Sequence, residues 1–128
     1  MKRGAAIILA FVCMAPTAGN IGSCGQEAVP LDSNKFFSTK QFTDCSRCTE
    51  CAIFTEACSR ACQEIAIVGT FPEGCLPLVH DGEVCLDALD VASCDDYAFY
   101  MADEGATIPT ECDFCPLDSE GQPKRGGD

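Results

Sequence analysis

The chain has 128 residues, a length that predicts a single domain. Its 12 cysteines are a share of the composition typical of a disulfide scaffold. The net charge of −12 argues against a nucleic-acid partner, because such proteins present a basic face. His80 is the single histidine, which argues against sites built from several histidines. We therefore expect no catalytic residue, no metal site and no cofactor.

The N-terminus has the pattern of an export signal. Lys2 and Arg3 form a short basic region, and an apolar run follows from Ala5 to Ala15. A membrane-spanning helix needs about 20 apolar residues, so this run is too short to cross a bilayer. It has the length of a signal-peptide core, and we predict a signal peptide over residues 1–23. The alternative is a buried N-terminal helix.

The end of this signal resembles the lipobox of bacterial lipoproteins. The residues Ile21-Gly22-Ser23-Cys24 give an aliphatic residue, two small residues and a cysteine, although Asn20 before them departs from the commonest pattern. The resemblance implies that Cys24 carries lipid, including palmitate or a similar acyl chain, and becomes the first mature residue. Gly25, in place of Asp, implies delivery to the outer membrane. The alternative is ordinary signal-peptidase cleavage after Gly19.

The number of cysteines distinguishes these two cleavage sites. Cys13 leaves with the signal in either case. If Cys24 is lipidated, an even set remains for five disulfides. Cleavage after Gly19 would leave eleven cysteines, one of them unpaired in an oxidising compartment. The candidate disulfide cysteines, of unknown pairing, are Cys45, Cys48, Cys51, Cys58, Cys62, Cys75, Cys85, Cys94, Cys112 and Cys115.

The mature chain divides into three predicted segments. Residues 24–42 show no sustained periodicity and are predicted to be a lipid-anchored flexible spacer. Residues 43–115 form the Cys-rich helical domain, and residues 116–128 are polar and rich in Gly and Pro, which predicts a disordered tail. Within the spacer, the pair Phe36-Phe37 is expected to pack on the domain or to touch a membrane interface.

Apolar residues at spacings of three and four predict helices. Such a stripe, from Cys51 to Val68, predicts a helix over about 44–68, capped by Thr43 or Asp44. Asp81 is predicted to cap a second helix. Ser93 then caps a third, which ends near Met101, unless the second helix continues unbroken. The expected fold is mainly α: a small disulfide-rich domain of two or three helices with irregular loops.

Four cysteines fall on one face of the predicted first helix: Cys48, Cys51, Cys58 and Cys62. This face should be bridged to the cysteines that follow it, from Cys75 to Cys115. Each disulfide contributes about 2–4 kcal/mol, and a core with so few large apolar residues needs such support.

Three other uses of the cysteines are possible. The run Cys45-x2-Cys48-x2-Cys51 resembles the start of a bacterial ferredoxin motif. Two CxxC pairs, Cys45/Cys48 and Cys112/Cys115, match the ligand set of a zinc site. The second pair also matches the spacing of thiol–disulfide exchange motifs, although its acidic neighbours disfavour a thiolate. The export signal favours disulfides over all three.

The remaining features indicate no active site. His80 beside Asp81 is typical of a surface loop, and the acids of the second half predict a solvated face that attracts basic partners. These acids are Asp81, Glu83, Asp87, Asp90, Asp95, Asp96, Asp103 and Glu104.

The leader, the cysteine density and the segments 92–96 and 111–116 together resemble uncharacterised Cys-rich lipoproteins of Gram-negative bacteria. We therefore predict a non-enzymatic envelope lipoprotein with a structural or partner-binding role. Its N-terminal lipid would hold it on a membrane, it would bind no nucleic acid, and any protein partner is unidentified. The alternatives are a secreted metal-binding or thiol-redox module that uses CxxC cysteines, and an unlipidated secreted inhibitor or effector.

Overall fold

A computed structural model describes residues 27–117 and residue 120. The described part is mainly helical, as predicted, and contains four α-helices where two or three were expected. The predicted signal peptide and Cys24 lie outside the described residues. The helices are α1 (Ser33–Glu50), α2 (Glu56–Ala61), α3 (Val79–Val91) and α4 (Cys94–Tyr100), and a short 3₁₀ turn follows at Thr110–Cys112.

Helix α1 begins ten residues earlier than the predicted domain. The Asp32 carboxylate accepts a hydrogen bond from the Lys35 amide at 2.8 Å and so caps the helix. Residues 33–42 are therefore helical, and the prediction of a flexible spacer is wrong for them. The expected cap at Thr43 or Asp44 is also wrong, since Asp44 lies buried inside α1.

The predicted helix over 44–68 is interrupted by a chain reversal. Helix α1 ends at Glu50, and Ala52 has a left-handed backbone with φ of 53°. The Thr55 hydroxyl then accepts a hydrogen bond from the Cys58 amide at 3.1 Å and starts α2. Two disulfides, Cys45–Cys62 and Cys48–Cys58, hold α2 antiparallel to α1.

The chain from residue 62 to residue 78 has no helix, and α1 organises part of it. The Gln41 side-chain amide donates to the carbonyls of Gln63 and Ile65, and its oxygen accepts from the Ile67 amide at 2.8 Å. Gly69 lies flat on the Phe37 ring: a Cβ at this glycine would come within 2.2 Å of the ring. These contacts fix a segment that the sequence predicted to be helical.

Helices α3 and α4 agree more closely with the sequence. The Asp81 carboxylate accepts from the Leu78 amide at 2.7 Å, so Asp81 lies in the first turn of α3 rather than at its cap. The Ser93 hydroxyl accepts from the Asp96 amide at 3.1 Å and caps α4. The predicted break between the second and third helices is thus confirmed, and an unbroken helix is excluded.

Helices α1 and α3 run side by side in the same direction. Near their first residues, backbone hydrogen bonds join Leu31 to Pro77 and Val79 to Val29. Near their last residues, the Arg47 guanidinium donates to the Ala92 carbonyl. We call the end of the molecule where α1 and α3 begin the proximal end, and the other the distal end. The core between the helices consists of Phe36, Cys48, Cys58, Ala61, Cys85, Leu89, Tyr97 and Met101.

Candidate functional site

The ten cysteines between residues 45 and 115 form five disulfides. The pairs are Cys45–Cys62, Cys48–Cys58, Cys51–Cys94, Cys75–Cys115 and Cys85–Cys112. The four cysteines on one face of the predicted first helix were expected to be bridged to the cysteines from Cys75 to Cys115, and this is correct for Cys51 alone. Cys48 and Cys58 were expected on one continuous helix, but the reversal after α1 turns them towards each other. This disulfide set indicates an oxidising, exported environment.

Both CxxC motifs are divided between different disulfides. Cys45 is bonded to Cys62, directly after α2, and Cys48 is bonded to Cys58, within α2. Cys112 is bonded to Cys85, and Cys115 is bonded to Cys75. Zinc and iron–sulfur clusters need thiolate ligands. With these sulfurs in disulfides, the zinc and cluster interpretations have no ligands, and neither CxxC pair forms the internal bond of an exchange motif.

A buried polar cluster joins α1 to α4. The Tyr97 hydroxyl donates to Asp44 Oδ1 at 2.6 Å, and Lys40 Nζ contacts Asp44 Oδ2 at 2.7 Å. The Arg47 guanidinium lies 5.3 Å from the centre of the Tyr97 ring, a cation–π arrangement. Burial raises the pKa of Tyr97, and the hydrogen bond to Asp44 raises it further.

The chemistry of this cluster is structural. Tyr97 has no exposed surface, and Asp44 and Arg47 are also buried. A substrate in solvent therefore has no access to the tyrosine hydroxyl. The sequence did not single out this cluster, because Asp44 was expected to cap a helix and no pattern marks Tyr97 as its partner. The spacing of Lys40 and Asp44, four residues apart on one helix, was the available signal.

An apolar groove follows the outer face of the α1–α2 hairpin. Its volume is ≈ 620 Å³, and its floor includes Cys48, Ile53 and Cys58. The Phe54 side chain at its rim is 93% exposed, and Phe42 lies exposed on the neighbouring part of α1. Exposed apolar side chains of this kind are typical of contact surfaces and of ligand-binding grooves. The sequence placed Phe54 in the helix stripe, and its exposure follows from the reversal.

A set of exposed aliphatic side chains lies near the proximal end. Its members are Val29, Leu76, Leu78 and Leu117, which are 60%, 85%, 39% and 48% exposed. Pro30 and Leu78 form an antiparallel β-bridge, and the Cys75–Cys115 disulfide brings the segment before Leu117 to the same end. We call these four residues the proximal patch.

The acidic residues of the predicted face have two different positions in the structure: some are exposed to solvent, and one caps a helix. Glu83, Asp87 and Asp90 lie exposed along α3. The Asp103 carboxylate instead accepts from the amides of Glu56 and Ala57 at the start of α2. Within residues 27–117 and 120, no three His, Cys, Asp or Glu side chains are grouped to hold a metal ion.

His80 is exposed near the start of α3. Over the same described residues, no helix combines the length and the hydropathy needed to cross a membrane. Comparison of the chain with protein-family models, with curated proteins and with solved structures found no match.

Proposed function

We propose that this protein is a non-enzymatic, exported, Cys-rich lipoprotein of the bacterial cell envelope, with a structural or partner-binding role. In this proposal, acyl chains on Cys24 hold the folded domain on the outer membrane. Two acyl chains on one residue give stable anchoring, whereas a single chain gives only reversible binding. The observation that carries the proposal is the complete pairing of the ten cysteines of the described domain.

The pairing supports lipidation because it leaves no partner for Cys24. Every cysteine from Cys45 to Cys115 is bonded to another one within that range. Cys13 lies inside the apolar run of the predicted signal. Cleavage after Gly19 would therefore leave a free thiol at Cys24 in an oxidising compartment. Acylation removes that thiol, and the preceding Ile21-Gly22-Ser23 provides the sequence context for it.

A non-enzymatic role is supported by how the domain uses its polar groups. Tyr97 binds both Asp44 and Arg47 in the interior, and the Asp103 carboxylate caps a helix. Five disulfides stabilise the small core of this domain by restricting its unfolded chain. Of the alternatives, a metal-binding or redox module conflicts with the disulfide pairing. An unlipidated secreted inhibitor or effector differs from our proposal only in its N-terminus.

The test is the fate of Cys24→Ser expressed in a Gram-negative host. We expect wild type in the detergent phase, with a mature chain that begins at Cys24 and carries additional acyl mass. Cys24→Ser should leave the membrane fraction or accumulate uncleaved. Cys13→Ser is the matched control, because it also removes an unpaired cysteine and should partition like wild type.

Intact mass distinguishes the alternatives. A wild-type chain that begins at Asn20 without added mass would overturn the proposal and support a secreted effector. Alkylation of the unreduced protein gives a second readout. The lipoprotein should take up no reagent, whereas a redox or metal-binding module would offer several thiols.

A further inference from the structure

We propose that the proximal patch is the face that contacts the membrane interface, so that the molecule stands on its proximal end. This inference rests on the proposed lipidation of Cys24 and adds to it the orientation of the domain. It commits to one occupant, a phospholipid surface.

The distance from the lipid to the fold is the first argument. Val29 is held by the domain through its carbonyl, which accepts from the Val79 amide at 3.0 Å. Cys24 precedes Val29 by five residues, so the two lie at most about 17 Å apart even in a fully extended chain. Helix α1 has 18 residues and is about 27 Å long. The lipid can therefore reach the surface around Val29 but cannot reach the distal end of α1.

The rigidity of this attachment is the second argument. Leu31 packs on Gly82 so closely that a Cβ there would come within 2.7 Å of the Leu31 side chain. The Leu31 amide also donates to the Pro77 carbonyl at 2.9 Å. The chain is thus fixed to the start of α3 immediately after Val29. A lipid on Cys24 would hold this end of the domain against the bilayer.

The chemistry of the surface is the third argument. The four side chains of the proximal patch are aliphatic and uncharged, and each exposes more than a third of its surface. Apolar faces that bind a membrane interface are typically buried about 5–10 Å into the boundary between headgroups and acyl chains. Glu27 and Glu73 flank the patch in sequence and are exposed, which favours a zwitterionic surface over an anionic one.

The chain contains no tryptophan, which permits a direct test. Leu76→Trp would place a reporter in the proximal patch, and Phe54→Trp would place one just beyond the distal end of α1. Both original side chains are highly exposed, so neither change disturbs the core. Each full-length lipidated protein is purified from membranes and reconstituted in phosphatidylcholine vesicles whose acyl chains carry bromine. Leu117→Trp provides a second proximal reporter from a different segment.

We expect bromine to quench the fluorescence at positions 76 and 117 several-fold more than at position 54. Equal quenching at all three positions, or stronger quenching at position 54, would overturn the inference and indicate that the α1–α2 face lies on the membrane. Flotation of the vesicles measures membrane binding alone, so it distinguishes the proposed lipid anchor from the proposed orientation. Protein that floats without the positional difference contradicts only the orientation, whereas protein that does not float contradicts the lipid anchor and the orientation with it.

Discussion

The two ends of α1 are stabilised by different kinds of contact. At the proximal end, the Phe36 ring lies 5.3 Å from Phe37, 5.8 Å from Phe71 and 5.6 Å from Phe114. At the distal end, Asp44 and Arg47 of α1 meet Tyr97 of α4 through a 2.6 Å hydrogen bond and a cation–π contact. One end is an aromatic cluster and the other is a buried polar cluster, although both belong to the same helix.

The disulfides do not account for this difference. Cys75–Cys115 near the proximal end and Cys51–Cys94 at the distal end close loops of 40 and 43 residues. In the chain-entropy model, loops of this length give about 4 kcal/mol each. The ends therefore differ in what their side chains contribute: apolar area at the proximal end, and hydrogen bonds and a cation–π contact in a low-dielectric interior at the distal end. The apolar contribution at the proximal end is insensitive to pH, whereas the contribution of the polar cluster at the distal end depends on pH.

The largest expected effect is at the proximal end. Phe36→Ala should lower the free energy of unfolding by about 3–5 kcal/mol, because it removes a buried ring and leaves a cavity among three other aromatic side chains. The measurement is denaturant unfolding of the non-reduced protein. Phe42→Ala on the same helix is the control, and its exposed ring should cost about 0.5 kcal/mol or less. If Phe36→Ala lowered the free energy of unfolding no more than Phe42→Ala does, the aromatic cluster would contribute little to stability.

The next effect is at the distal end. Tyr97→Phe should cost about 1.5–3 kcal/mol, because it removes a hydrogen bond to a buried carboxylate. Tyr100→Phe is the control, since its ring packs against Tyr97 at 5.7 Å and the change also removes one hydroxyl. We expect less than about 0.5 kcal/mol for it. An equal cost in the two variants would contradict the assigned role of the Asp44–Tyr97 hydrogen bond.

The polar cluster also predicts a response to alkali. The pKa of Tyr97 is raised in the folded protein, chiefly by burial, while the unfolded tyrosine titrates near its ordinary value of about 10. Below that pH, Tyr97 is protonated in both states, and its contribution to stability is complete. As the pH rises, only the unfolded chain releases the proton, so this contribution to stability is lost. Unfolding followed between about pH 8 and pH 11 should show a steeper decline for wild type than for Tyr97→Phe. Parallel curves would contradict this.

The same comparison explains what the sequence could predict. The mainly helical fold, the five disulfides and α4 were predicted correctly, because cysteine parity and the Ser93–Asp96 cap are local signals. Residues 33–42 were missed because the buried face of α1 mixes aromatic and polar residues. Phe36 is followed on that face by Gln41, Asp44 and Arg47, so the apolar periodicity disappears where the polar partners begin.

The candidate surfaces were less predictable. The proximal patch combines Val29, Leu76, Leu78 and Leu117, which only the β-bridge and a disulfide bring to one end. The α1–α2 groove exists because the chain reverses after Cys51. The spacing of Cys51, Cys58 and Cys62 also fits one continuous helix. Periodicity alone cannot distinguish a continuous helix from two helices that fold back on each other.

The smallest expected effect tests that reversal. Ala52 is exposed and has φ of 53°, a conformation that costs a non-glycine residue about 1 kcal/mol. Ala52→Gly relieves this strain but increases the entropy of the unfolded chain, so we expect it to raise stability by about 0–1 kcal/mol. Ala98→Gly, at an exposed position inside α4, is the matched control and should lower stability by about 1 kcal/mol. If residues 44–68 were one helix, Ala52→Gly would destabilise as much as Ala98→Gly, so the sign of the difference in thermal unfolding decides whether the chain turns at the distal end of α1.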